Sequence, residues 1–175
     1  MISLYKAQTE WLEPTEFPDL KEAKEIAIDL ETKDTNLTTR GSGSATNNGE
    51  ITGIAVAVDG WKGYYPIAHE GGGNMDKVKV LDWFRTILKT DAPKVFHNAM
   101  YDVCWIKTLP DMKLNGKIID TMIAAGIVNE NRFKYDLNSL SREYLREGKN
   151  ETALREAASA LGVDPKSEMY KLPAM

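Results

Sequence analysis

Apolar and polar positions along the chain fall into stretches of two periods. Glu25 to Glu31 alternates and is rich in aliphatics, which predicts a strand entered from a charged helical turn around Asp19 to Lys24. Its carboxylates fall near its C-terminal end. Ile51 to Val58 and Trp61 to Ile67 are two further strands, joined at Asp59-Gly60, a strong hairpin signal. Before them, Arg40 to Gly49 consists of turn formers without apolar periodicity and reads as a mobile loop. Val78, Leu81, Trp83, Phe84, Ile87 and Leu88 then recur at helical spacing, giving an amphipathic helix from about Asp76 to Lys89.

From there the chain alternates between the two periods. Lys94 to His97 is a short buried strand, Ala99 to Lys107 a helix, Lys117 to Ile119 a strand and Thr121 to Val128 a helix. Asp136 is the N-cap of a helix through Leu137, Leu140, Tyr144 and Leu145, and Asn150 the N-cap of one ending near Gly162. Three antiparallel strands followed by β-α-β-α predict an α/β fold with a mixed five-stranded sheet, three antiparallel strands then two parallel, flanked by helices. That is the RNase H-like order.

Composition narrows this only in part. The 175 residues suit one domain with a real core. Twenty-two Lys and Arg against 26 Asp and Glu leave a charge of -4, which argues against a basic face gripping duplex. It does not exclude nucleic acid, because an enzyme that bridges phosphate through divalent cations places carboxylates at its site. The single Cys104 excludes an internal disulfide, and no Cys/His cluster suggests zinc, so a reducing, intracellular setting is expected. No run approaches the roughly 18 apolar residues of a membrane span, and Met1 to Phe17 is too polar for a signal peptide. A cytoplasmic protein without a membrane partner is expected.

Candidate chemistry lies at two strand ends. Asp29 and Glu31 stand two apart on a strand and project from one face, where packing gives no reason for two like charges. They call for a cation. In His97-Asn-Ala-Met-Tyr-Asp102 a strand ends and a helix begins, putting Asn98 near the N-cap and Asp102 one turn in, where the helix dipole favours an ionised carboxylate. Neighbouring strands let Asp102 face the Asp29 and Glu31 pair at their C-terminal ends. Elsewhere the simplest readings are structural. Asp120 and Asp136 cap helices, His97 is a satisfied histidine beside the sheet, and His69 shapes its loop. Trp61, Trp83 and Trp105 are core or core margin, and Ser141 to Asn150 is a solvated helix end.

The stretches IAIDLET at 26 to 32, YYPIAHEGGGN at 64 to 74, VFHNAMYDVCWI at 95 to 106, IIDTMIAA at 118 to 125 and YDLNSLSREYL at 135 to 145 resemble, in order, the DEDD exonucleases. The resemblance is to the proofreading 3′-to-5′ exonuclease domains of bacterial and phage family A DNA polymerases. It implies two divalent ions, Mg²⁺ or Mn²⁺, with Asp29 bridging both, Glu31 on the first and Asp102 serving the second through water. Asn98 and Tyr101 would position the terminal nucleotide, and Leu30, Thr32 and Leu37 would line its base and sugar. The implied partners are a single-stranded or frayed DNA 3′ end and the polymerase domain of the same longer chain, in a bacterial or phage-infected cytoplasm during DNA replication. On this reading HEGGGN is not a phosphate loop, because no Gly-Lys-Ser/Thr follows it.

The family's last motif, Tyr-x-x-x-Asp or His-x-x-x-x-Asp, is missing. Tyr170 to Ala174 has the aromatic but places Ala where the carboxylate would stand, and Pro173 opposes a helix. Residues 1–175 are therefore expected to be a single exonuclease domain that stops short of this motif, or one whose partner supplies the fourth carboxylate. Two other readings stay open, an exoribonuclease of the same superfamily and a module that binds DNA ends without cutting.

Overall fold

The computed structural model describes residues 12–174, and the reading of Met1 to Trp11 lies outside them. In chain order the elements are β1 (Ile26–Lys33), α1 (Leu37–Arg40), α2 (Gly43–Thr46), β2 (Glu50–Val58), β3 (Trp61–Pro66), α3 (Lys77–Leu88), β4 (Lys94–Phe96), α4 (Ala99–Ile106), β5 (Ile118–Asp120), α5 (Thr121–Val128), α6 (Leu137–Tyr144) and α7 (Thr152–Leu161). A 3₁₀ turn, Met169–Lys171, follows. The sheet runs β3-β2-β1-β4-β5, with β1 antiparallel to β2 and parallel to β4, as the alternation predicts.

Alternation along β1 decides which face does what. Ile26, Ile28 and Leu30 enter a core with Ile54 and Val56 of β2, Tyr65 of β3, Val80, Phe84 and Leu88 of α3, and Trp105 and Ile106 of α4. The opposite face carries small residues, Ala27, Ala55 and Ala57, and floors a cleft of about 1070 Å³ that reaches Asp29, Tyr64, His97 and Thr121. Leu12 to Glu16 forms one of its walls.

Three local expectations are corrected. Asp19 to Lys24 is a turn closed by Ala23 N–H on the Leu20 carbonyl at 3.1 Å, not a helix, and Asp19 binds Lys21 two residues on. The 40s segment is built rather than formless. Its α2 turn is capped by Ser42, and the Asp34 carboxylate accepts from Gly43 N–H at 3.1 Å. A Cβ at Gly43 would meet the Asn48 carbonyl at 1.8 Å, so glycine there is a packing requirement rather than a flexible joint. Finally, α7 begins at Thr152, and Asn150 accepts from Thr152 N–H at 3.2 Å from one position before the N-cap, Glu151.

Candidate active site

The paired carboxylates occupy the C-terminal half of β1, on the face opposite the core. Asp29 lies across from Ala55, and Glu31 from Gly53. Immediately after Glu31 the register slips, so that Thr32 pairs with Ile51 and Thr52 is the extra residue on β2. Such a bulge turns the strand end and re-aims the side chains beside it.

Asp102 comes from the first turn of α4, and the β4-to-α4 corner places it. Asn98 sits at the N-cap with φ 71° and ψ 55°, a left-handed conformation that Asn tolerates, and makes no side-chain cap. The cap is delivered from outside. Asp120 at the end of β5 accepts from Asn98 N–H at 3.1 Å and Ala99 N–H at 2.8 Å, and also from Met122 and Ile123 N–H at the start of α5. One carboxylate thus ties two helix starts together, and the Asn98 side chain is left exposed beside the site.

Asp102 accepts from Leu30 N–H at 3.0 Å, the peptide between the two β1 acids. This bond brings all three carboxylates to one place. It also corrects the reading of Leu30, whose side chain is buried in the core at 5% exposure and cannot line a nucleotide. Thr32 and Tyr101, read as separate substrate contacts, are bonded to each other at 2.7 Å. Tyr101 spends its proton on Asp34 at 3.1 Å, so Thr32 is the donor in that pair. Leu37 is exposed on the turn after β1.

Electrostatics mark the cluster. Burial and then the Asp29 charge push Glu31 up to about 7, with Asp102 adding to the rise and Lys149 opposing it. Burial and Asp29 likewise push Asp102 up to about 7, against the bond from Leu30. The expectation that the helix dipole keeps Asp102 ionised is therefore corrected, since burial among like charges outweighs one helix end. Asp29 has an exposed surface, yet the protein packed around it also raises its carboxyl, while Lys149 and His97 pull it down. Lys149, on the connection from α6 to α7, is held by its own N–H on the Asn138 side chain at 3.0 Å. Sequence reasoning folded Lys149 into a solvated helix end, and no spacing signal links it to Asp29.

Crowded oxygen donors that raise one another fit a hard divalent cation, which would restore their charge. Among the described residues no three His, Cys, Asp or Glu side chains form a ready-made metal cage. His97 donates through Nδ1 to Thr121 Oγ1 at 2.9 Å, since Thr121 gives its own proton to the Phe96 carbonyl. Its Nε2 is buried without a hydrogen bond among the described residues, so the satisfied histidine of the sequence reading is only half satisfied.

A family described as 3′-5′ exonuclease matches residues 13–172. A DNA-directed DNA polymerase of Pseudomonas phage M6 is 35% identical over 172 residues, 95% of this chain and 26% of the polymerase. DNA polymerase DpoZ of Salmonella phage PMBT28 is 27% identical over 83% of this chain and 21% of its own length. The chain thus spans about a quarter of the curated relatives it matches. Among solved structures, the POL domain of Pol1 from M. smegmatis, in complex with DNA primer-template and dNTP, shares the fold at TM-score 0.56 and 18% identity, over 91% of this chain and 27% of that one. Brucella melitensis NrnC with bound Mg²⁺ does so at TM-score 0.51 and 18% identity, over 77% of this chain and 61% of that one. Sheet order, motif order and these likenesses agree, and the chain belongs to the 3′-5′ exonuclease family of family A DNA polymerases.

Proposed function

We propose that this chain hydrolyses the 3′-terminal phosphodiester of single-stranded or frayed DNA, as the proofreading part of a longer polymerase acting in a bacterial or phage-infected cytoplasm. The observation that carries the reading is the convergence of Asp29, Glu31 and Asp102, with the Leu30 N–H on Asp102 and the Glu31 and Asp102 carboxyls raised by burial and by the Asp29 charge. Asp29 and Glu31 would hold one Mg²⁺ or Mn²⁺, and Asp29 with Asp102 a second. When bound, such ions supply a nucleophilic hydroxide at neutral pH and neutralise the departing oxygen.

The remaining roles belong to the chain's own groups. Tyr101 has its hydroxyl committed to Thr32 and Asp34, so it offers a nucleotide its ring, in a fixed orientation. Asn98, uncapped and exposed, has amide donors and acceptor free for a sugar or base. Lys149 brings a positive charge close enough to Asp29 and Glu31 to lower both carboxyls, and it would offer that charge to a phosphate. These contacts read no base sequence, as proofreading requires.

The fourth carboxylate comes from outside these 175 residues on this reading. Asp120 accepts four backbone N–H groups, and Glu168 is engaged by Lys171 and by Asp164 N–H, so each carboxylate has other partners in this structure. The test follows a labelled oligonucleotide with Mg²⁺. The 175-residue chain alone is expected to trim poorly. A chain extended by a Tyr-x-x-x-Asp helix is expected to trim DNA from the 3′ end, and Asp29→Ala in it to lose about a hundredfold or more in rate. Trimming that survives Asp29→Ala overturns the proposal, and preferential trimming of a matched RNA strand moves it to the exoribonuclease reading.

A further inference from the structure

Tyr64 and His69 hold none of the roles above. On the site-bearing face two cross-strand rows run side by side, Asp29, Ala55 and Tyr64 in one and Glu31, Gly53 and Pro66 in the next. Ala55 and Gly53 are small, and the Tyr64 ring crosses the space they leave. A Cβ built on Gly53 would stand 2.0 Å from the Tyr64 hydroxyl oxygen and 2.4 Å from Cζ. The phenol end therefore occupies the side-chain position directly opposite Glu31, where facing Cβ atoms lie about 4.5–5.5 Å apart. A glycine inside a strand, the mark of a close approach, admits it.

His69 fixes the ring from the other side. Its Nδ1 is 3.2 Å from the Leu172 carbonyl, which can only accept, so Nδ1 carries the proton and Nε2 accepts from the Tyr64 hydroxyl at 2.5 Å. Burial keeps the imidazole below its usual range and hence neutral. The histidine is itself clamped, with its N–H on Asn74 Oδ1 and its carbonyl taken by Asn74 Nδ2, both at 2.7 Å. The glycines of the same loop let the C-terminal segment close over it. A Cβ on Gly71 would meet Pro173 N at 2.3 Å, and one on Gly73 the Ala174 carbonyl at 2.5 Å.

We infer that Tyr64, anchored by His69, is a positioning residue for Glu31: it fills the place over β2 into which the Glu31 carboxylate would otherwise turn and keeps that carboxylate beside Asp29. The inference rests on the reading of Asp29 and Glu31 as cation ligands. Without the wall, Glu31 gains rotamers directed across Gly53, and each cation it helps to hold must then order it.

The experiment is calorimetric Mn²⁺ titration of the 175-residue chain and its variants. Tyr64→Ala is expected to weaken Mn²⁺ binding by about tenfold or more, the usual scale for losing a group that orients a ligand. Tyr64→Phe, which keeps the ring, is expected to recover part of that loss, and His69→Ala, which frees the ring, to fall between the two. Tyr65→Phe is the matched control. It loses the hydrogen bond from Tyr65 to the Glu16 carbonyl on the opposite face of the sheet, and is expected to lower the unfolding temperature while leaving Mn²⁺ affinity unchanged. Wild-type affinity in both Tyr64→Ala and His69→Ala overturns the inference, as does a Tyr65→Phe loss equal to that of Tyr64→Phe. If Tyr64→Ala does not fold, His69→Ala decides alone. Wild-type affinity in Asp29→Ala instead removes the cation reading itself, a result distinct from failure of the Tyr64 variants alone.

Discussion

Lys94 on β4 and Asp102 on α4 are both buried ionisable groups, with exposures of 0% and 3%, and they stand within one β-α unit. Lys94 is surrounded by acceptors. Its ammonium donates to the Thr90 and Ala92 carbonyls at 2.5 and 2.9 Å, the Thr90 hydroxyl at 2.9 Å and the Asn115 carbonyl at 3.0 Å. Burial lowers its pKa, with only Asp91 opposing, but every proton has a partner. Asp102 has the reverse environment, only the N–H groups of Leu30 and of its own backbone against the like charges of Asp29 and Asp120. A buried charge that is fully bonded needs nothing further, whereas one crowded by its own kind is an arrangement that a cation would relieve.

Lys94→Met tests the first half of the comparison and should have the largest effect on stability. It removes the donor from three carbonyls on partly buried residues, each costing about 1–3 kcal/mol where no water replaces it, so a loss of about 3 kcal/mol is expected in urea unfolding. Mn²⁺ affinity should not change. A variant within about 1 kcal/mol of the parent would show that the cage relaxes or admits water.

Asp102→Asn tests the second half and should move stability the other way. The folded carboxyl titrates at about 7, above the unfolded value of about 3.9. Between those limits the folded state holds a proton that the unfolded state has released, so stability of the metal-free chain falls as pH rises from about 4 to 7 and levels off above. Asn keeps the acceptor for Leu30 N–H and removes the charge. A gain on the order of 1–3 kcal/mol is expected at pH 8 without metal, vanishing near pH 4. An equal gain at both pH values would mean that shape rather than charge is responsible.

The same contrast explains what the sequence disclosed. Alternation from Ile26 to Glu31 revealed the strand, its core face and the paired acids at once, because period 2 and burial are one fact. The α3 helix was legible to its caps, Asp76 and Lys89. The 40s segment was not, because its order comes from Asp34 reaching nine residues forward to Gly43 N–H, a contact with no periodic signature. Leu30 was assigned to substrate by resemblance although its own alternation with Asp29 and Glu31 already placed it in the core. Tyr64 was missed for a related reason. Its link to Glu31 runs through the register of β1, β2 and β3, although Gly53 inside a strand was a visible cue.

Asp120 supplies the closing test, because it is a carboxylate on the same sheet whose surroundings resemble those of Lys94. It accepts from the N–H groups of Asn98, Ala99, Met122 and Ile123, at 2.8 to 3.3 Å; burial is the largest single influence and raises its pKa, but the four bonds together outweigh it and hold the carboxyl below the usual range. The sign is opposite to that of Asp102. A depressed carboxylate contributes stability that is present above the unfolded pKa of about 3.9 and is lost as pH falls through the folded value. Asp120→Asn turns an amide N–H toward at least one of the four donors and removes the charge that favours both helix starts. The expected cost is about 1–2 kcal/mol at pH 7, unchanged down to about pH 5 and shrinking below pH 4 as the parent loses its own charge. Because Asp120 fixes the corner from which Asn98 and Asp102 project, Mn²⁺ affinity should drop slightly in step with it. Urea midpoints of parent and variant between pH 3 and 8 decide the matter: a gap that stays constant to pH 3 would show that the carboxylate acts through shape alone, and the division between bonded and crowded charges would then not extend to this residue.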